Sequence, residues 1–207
     1  VGNVELTVRT DVQRVARLLV MSNYFDAKAA QGEQAIAQLA TKILAGREMG
    51  YGPFASVQGI HVIQGKPVIS ANLMAAAVKR SGRYDYRVRR LDNDGCEVEF
   101  FQRNGDKWDS LGKSAFTRED AKAASLLSKD NWSKFARNMF FARALSNGIR
   151  WYCADVFDGS AAYTPDELGE IFAALDAGFG MQRGPARHFG IEIDPRTADP
   201  MALRALV

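Results

Sequence analysis

The chain has 207 residues, of which 47% are hydrophobic and 25% charged, a balance that fits a globular protein and excludes disordered, collagen-like and disulfide-framework classes. No apolar run approaches the ~20 residues of a membrane span, and Val1-Gly2-Asn3-Val4-Glu5 lacks the basic-then-apolar order of a signal peptide. Two cysteines, Cys96 and Cys153, and two histidines, His61 and His188, are too scattered for zinc ligation and point to a reducing cytoplasm. The formal charge of +3 hides an asymmetry: residues 61–152 carry seventeen Lys/Arg against ten Asp/Glu, whereas 153–207 carry four against nine. A basic centre followed by an acidic tail suits a polyanion partner.

In chain order, Val12, Val15, Leu18, Leu19 and Tyr24 recur at helical spacing from Asp11, a candidate N-cap, to about Phe25. A second helix is predicted from Glu33 to Met49, closed by Gly50 ahead of Pro53. Val57 to Ile63 is predicted as a strand, Gln64 to Pro67 as a tight turn and Val68-Ile69 as a short return strand. Ser70 caps a third helix reaching Arg80 and closed by Gly82. Between Tyr84 and Ala115 the pattern changes to three strands, 84–91, 96–103 and 107–115, separated by Asp94-Gly95 and Asn104-Gly105-Asp106, which are strong hairpin signals. Thr117 with Asp120 begins a short helix. Lys129 or Asp130 opens a longer one running to Tyr152, and Thr164-Pro165-Asp166-Glu167 opens a last helix from 165 to about 176. After Gly178, the glycines with Pro185, Pro195 and Pro200 argue against regular order.

Several lookalike motifs fail on their chemistry. Gly59 to Lys66 has five residues between its glycines instead of the four of a phosphate-binding loop, and Pro67 stands where Ser or Thr would hold magnesium. Asp92-Asn93-Asp94-Gly95 begins like a calcium loop, but Phe101, Gln102 and Arg103 lie where its closing carboxylate belongs, so it is a turn. Glu97 and Glu99 share a strand face as an ordinary solvated pair. No catalytic residue, metal ligand or cofactor site is assigned.

The informative segment runs from Lys129 to Tyr152. At 100° per residue, Arg143, Ser146, Asn147 and Arg150 form one narrow polar stripe on an otherwise apolar helix. Such a stripe is either a set of core arginines paired with carboxylates or the floor of a groove that offers guanidinium groups to phosphates. The meander places Arg87 and Arg89 on one face and Arg90 on the other, with Arg103, Lys107 and Lys113 on neighbouring strands. Interleaved Tyr84, Tyr86, Phe100, Phe101 and Trp108 supply rings on which unstacked bases can rest. Charge, aromatics and stripe together favour nucleic acid and the groove.

Gly46-Arg47-Glu48-Met49-Gly50, then Val57 to Pro67 with its Gly-Ile-His-Val-Ile-Gln-Gly-Lys-Pro core, then Ser70 to Gly82, and then Asn138 to Ile149 with its Met-Phe-Phe-Ala-Arg-Ala-Leu-Ser-Asn-Gly run resemble, in order and spacing, the RecT/Redβ family of phage single-strand annealing recombinases. The likeness covers about 10–175. It implies a protein without a hydrolytic active site or cofactor that binds single-stranded DNA, anneals complementary strands without ATP in phage homologous recombination, and assembles as a homo-oligomeric ring or helical filament. The implied partners are single-stranded DNA, the annealed duplex, a phage exonuclease and host single-strand-binding protein, in the bacterial cytoplasm and with no membrane.

The expected fold is α+β, with a small antiparallel β-meander and a β-hairpin packed with about five to six α-helices around a basic groove. Residues 1–176 form the binding, annealing and oligomerisation core, and 177–207 an acidic, Gly/Pro-containing C-terminal segment that is flexible or contacts the oligomer. Lys129, Asn131, Trp132 and Arg143 match the family's patterned positions. The candidate DNA contacts are Lys66 on the hairpin, Arg87, Arg89, Arg103, Lys107 and Lys113 on the meander, and Lys129, Asn131, Trp132, Lys134, Arg137, Arg143, Asn147 and Arg150 along the long helix. A passive single-strand binder would use the same groove, and a DNA hydrolase is disfavoured because no carboxylate cluster is evident.

Overall fold

The computed structural model describes residues 2–22, 32–63, 65–158, 163–169, 171, 186–188 and 191–193. The chain divides after Glu167 into two compact units, Val1–Glu167 and Leu168–Val207; the boundary expected at 176 falls outside the described residues. The architecture is mixed α+β with antiparallel sheets, as expected. No helix among the described residues is long and apolar enough to cross a membrane.

The first unit opens with α1 (Gly2–Met21) and α2 (Glu33–Glu48). Helix α1 begins nine residues before the expected N-cap Asp11, which therefore lies inside it. The two helices bury Val12, Ala16 and Leu19 against Leu39 and Ile43, and Val57 joins them from α3 (Pro53–Gly59). Residues 57–59, expected as strand, are thus helical. Pro53 occupies the first turn, where its missing N–H costs nothing and its fixed φ favours helix, and this local nucleus overrides the β-branched pattern that follows. Then come β1 (Ile60–Ile63), β2 (Lys66–Ile69), which pairs with it antiparallel, and α4 (Ala71–Arg80), whose N-cap Ser70 accepts from the Leu73 backbone as its sequence predicts.

The meander follows in the expected order as β3 (Tyr84–Leu91), β4 (Gly95–Asn104) and β5 (Lys107–Thr117). Register pairs Tyr86 with Phe100 and Phe100 with Gly112 on one face, and Arg87 with Glu99 and Glu99 with Lys113 on the other. The first face is apolar because it carries the core. Val98, Phe100 and Ser114 are fully buried there, against α7 (Ala136–Tyr152). Both sheet edges are occupied by side chains. On β3, the Tyr84 amide donates to Ser81 Oγ at 3.1 Å, the Tyr86 amide to Asp85 Oδ1 at 2.8 Å, and Lys79 Nζ donates to the Tyr86 carbonyl at 3.2 Å. On β5, the Tyr152 hydroxyl donates to the Lys113 carbonyl at 3.3 Å.

Thr117 and Asp120 form the predicted capping box of α5 (Arg118–Ala123). The long helix expected from 129 to 152 is instead two, α6 (Asp130–Lys134) and α7, broken at Phe135 with φ −131° and ψ 42°. Packing explains the break: eight residues of straight helix would separate Trp132 from Phe140 by about 12 Å along the axis, whereas their rings meet edge-on at 5.3 Å, and Phe116 completes the cluster at 5.9 Å from Trp132. After a 3-10 turn at Ala154–Phe157, α8 begins at 165 behind Thr164, as its sequence predicts; the described part of it spans 165–169. After Gly178, where no regular element is expected, β6 (Ala186–His188) pairs antiparallel with β7 (Ile191–Ile193).

The closest approach between α7 and the sheet occurs at Gly148, where a Cβ would stand 2.0 Å from Phe100 Cε2. Because the ring is fully buried it has nowhere to move. Gly148→Ala is therefore expected to cost about 1–3 kcal/mol through overpacking, roughly 2–4 °C in Tm per kcal/mol for a chain of this size. Thermal melting followed by circular dichroism checks this, and adding Phe100→Leu to Gly148→Ala should restore part of the loss.

Candidate nucleic-acid interface

The solvent face of the meander gathers four predicted residues, Arg87, Arg89, Arg103 and Lys113. Arg87 and Arg89 share a face as expected, their guanidinium groups lying 5.2 and 5.8 Å from the Phe101 ring centre. This cover leaves Phe101 only 9% exposed even though it points away from the core. Arg89 Nε donates to Glu99 Oε2 at 2.7 Å, and the Ser110 hydroxyl donates to Glu99 Oε1 at 2.7 Å. The Ser110 hydrogen bond first, then Arg89, hold the Glu99 carboxyl below the usual carboxylate range. Lys113 donates to Glu97 at 2.9 Å, which raises the lysine's affinity for its proton.

Arg87 has no ion pair among the described residues. Arg103 anchors its Nε on the Gly105 carbonyl at 3.0 Å, whereas Lys107, one rung further along, is exposed on the reverse face of the hairpin beside Asn104. The face therefore combines neutralised cations with others whose charge stays available to an anion.

Around the β3–β4 turn, Arg90 grips Asp92 at 2.7 Å, which accounts for the turn carboxylate that superficially suggests calcium. Arg118 reaches the Asn93 carbonyl at 3.5 Å, and Arg137 Nε donates to Asn93 Oδ1 at 3.1 Å. Arg137 lies in the first turn of α7, which contains no acidic residue. Lys129 and Asn131 are exposed on α6, and Lys134 pairs with Asp130 at 2.6 Å. Lys66 lies on the separate two-stranded sheet. Arg118 and its partner Asn93 escaped the sequence reading because neither belongs to a recognised motif; only the folded turn unites them.

Four expected contacts are corrected. Trp132 is 3% exposed and packs inside the Phe116–Phe140 cluster, so it is a core residue with no face to offer a base. Tyr84 and Phe100, expected among the stacking rings, are likewise buried. The stripe Arg143, Ser146, Asn147, Arg150 is not an open groove floor. It converges on one carboxylate, Glu167, whose side chain is 3% exposed. Glu167 Oε1 accepts from Ser146 Oγ at 2.9 Å and from an Arg150 amino group at 3.0 Å, with Arg143 Nη1 at 3.6 Å. Asn147 Oδ1 accepts from Arg150, and the Arg150 guanidinium also covers the Tyr163 ring at 4.6 Å.

Glu167 Oε2 meanwhile accepts from the Thr164 amide at 2.8 Å and hydroxyl at 2.9 Å, completing the cap of α8. One side chain thus caps α8 and compensates the α7 stripe. The sequence signal for the cap was legible in Thr164 and Glu167, but its second duty was not.

Neither cysteine is an activated nucleophile. Burial pushes the Cys96 thiol up to about 11 and the Cys153 thiol to about 12, so both stay protonated at neutral pH. What the exposed surface of the meander offers is electrostatic attraction, hydrogen-bond donors and the exposed indole of Trp108.

The Glu167 network generates a prediction opposite to the one a groove would make. Breaking a buried pair by removing one partner costs about 3–5 kcal/mol, so Glu167→Gln, or the double variant Arg143→Gln/Arg150→Gln, should melt well below the parent. The folded fraction should bind single strands within about twofold of the parent, since the stripe carries little electrostatic contact. Parallel measurement of Tm and affinity decides; unchanged melting with lost affinity would return the stripe to the groove.

No protein-family model matches the chain, and neither the curated proteins nor the solved structures contain a significant match.

Proposed function

We propose that the protein binds single-stranded DNA through the solvent face of the meander and the neighbouring start of α7, and that it anneals complementary strands without ATP, in the manner of the recombinases its sequence resembles. The observation that carries this reading is a set of exposed cations, Arg87 and Arg103 on that face and Arg137 at the start of α7, that form no ion pair among the described residues. Arg89 and Lys113 on the same surface are already paired with carboxylates and would contribute less. Unpaired cations release DNA counterions when they take phosphates, and this term is independent of sequence.

In this reading the strand is held by its phosphates while its base edges remain available, and Watson–Crick pairing with a second strand supplies specificity. Annealing is downhill, so the protein removes hairpins and concentrates strands, without a metal-activated water or nucleotide hydrolysis. Assembly of copies into a ring or filament in the bacterial cytoplasm, alongside a phage exonuclease and host single-strand-binding protein, belongs to the same proposal.

Two measurements test it. Mixed complementary oligonucleotides should anneal faster with purified protein in the absence of nucleotide; binding without acceleration would identify a passive single-strand binder, and an absolute ATP requirement would sink the mechanism. Affinity should also fall steeply with salt, with a log–log slope of about −0.7 per phosphate contact. The triple variant Arg87→Gln/Arg103→Gln/Arg137→Gln should flatten that slope by about two units. A slope equal to the parent's would remove this surface from the interface.

A further inference from the structure

The β4–β5 hairpin projects past the rest of its sheet. Strand β3 starts at Tyr84, opposite Gln102, and beyond it only the Arg83 carbonyl, which accepts from the Arg103 amide at 2.8 Å, still flanks β4, so the last rung, Asn104 with Lys107, has no third strand beside it. Every residue from 102 to 110 is exposed. A two-residue turn closes this arm, with Gly105 at φ +61°, a value glycine adopts without strain.

The two side chains of the outermost same-face pair differ in character. Trp108 leaves its indole 40% exposed although nothing in the fold requires an apolar ring at that position. Arg103, its direct cross-strand partner, has Cβ about 4.5–5.5 Å away. Its Nε is fixed on the Gly105 carbonyl, a neutral oxygen that directs the guanidinium without cancelling its charge. Both Nη groups are left for a ligand. The nearby carboxylates do not compete for it: Asp109 accepts from the Asn104 amide at 2.9 Å on the opposite face, and Asp106 lies within the turn.

Beside the exposed rings of Trp151 and Phe135, the neighbouring cations are already engaged. Arg150, next to Trp151, is committed to Glu167, and Lys134, next to Phe135, to Asp130.

We infer that Trp108 and Arg103 form a nucleotide site at the tip of the arm, in which the indole stacks one unpaired base while the Arg103 fork takes the adjoining phosphate. This inference rests on the proposed single-strand binding and deepens it. A base can lie flat on Trp108 only when it is out of a duplex stack, so the site selects single-stranded nucleic acid and ignores base identity, because every base offers a π face.

The test uses the full chain and its variants Trp108→Ala, Trp108→Phe and Arg103→Gln. Each is titrated by fluorescence anisotropy against a labelled oligothymidylate and against a strand of equal length built of abasic sugar-phosphates. Trp108→Ala should weaken oligothymidylate binding roughly five- to a hundredfold, leave the abasic strand unaffected, and be largely rescued by Trp108→Phe. Arg103→Gln should weaken both strands and flatten the salt slope by about 0.7. Circular dichroism melting should match the parent for all three, since both side chains are exposed.

Trp108→Ala binding oligothymidylate like the parent, or weakening both strands equally, would overturn the stacking site while leaving the proposed function standing. A parent protein that binds neither strand would overturn both.

Discussion

The first unit is organised by the contact of one helix with one strand. Helix α7 can lie close enough to the meander to bury Phe100, Phe140, Leu145 and Ile149 completely only because Gly148 presents no side chain to the Phe100 ring. One turn further along the helix, at Tyr152, Gly112 plays a similar part on β5. Its φ of +141° suits glycine, and a Cβ there would stand 2.6 Å from the Tyr152 hydroxyl oxygen. With both glycines in place, the inner face of the sheet is sealed where α7 covers it, and the charge of that part of the meander lies outside. That division decides which residues remain able to meet a ligand.

The division also separates arginines that look alike in the sequence. Arg89, Arg143 and Arg150 face carboxylates, whereas Arg103 and Arg137 face neutral oxygens. An arginine held by a carbonyl or an amide keeps its full charge while losing much of its side-chain freedom, so less entropy remains to be lost when an anion arrives. Paired arginines near the core instead set the geometry of the chain. Glu167 illustrates this second use: a carboxylate from the end of the unit accounts for the polar stripe of its most buried helix.

Local chemistry made much of the fold legible. Ser70, Thr117 and Thr164 each cap the helix they precede, and Asn104-Gly105 marks its hairpin, because all these signals act within four residues. What stayed hidden depends on partners distant in sequence. The break at Phe135 follows from Phe116 drawing Trp132 and Phe140 together, and the occupant of the Arg143–Arg150 stripe lies beyond Tyr152 on another element. Helical periodicity could show that the stripe was polar and narrow, but both a phosphate and a carboxylate satisfy that description. Arg87, Arg103 and Lys113 were legible from strand alternation, whereas the register shift after Val88 sets Arg90 across from Glu97, on their face instead of the other, and the covering of Phe101 by Arg87 and Arg89 was hidden, since alternation alone places that ring in water.

The occupied edges of the meander bear on how copies of the chain can associate. A bare strand edge is a template for another strand, and growth along it has no natural end. Here hydroxyl, carboxylate, ammonium and phenol groups already hold outward-facing peptide groups of β3 and β5, so an incoming strand would have to strip four side-chain hydrogen bonds before forming its own. Growth of continuous cross-chain sheets along the meander is thereby disfavoured at high local concentration. Any contact between copies along this sheet would then fall to helices and loops, whose finite, shaped surfaces do not propagate without end.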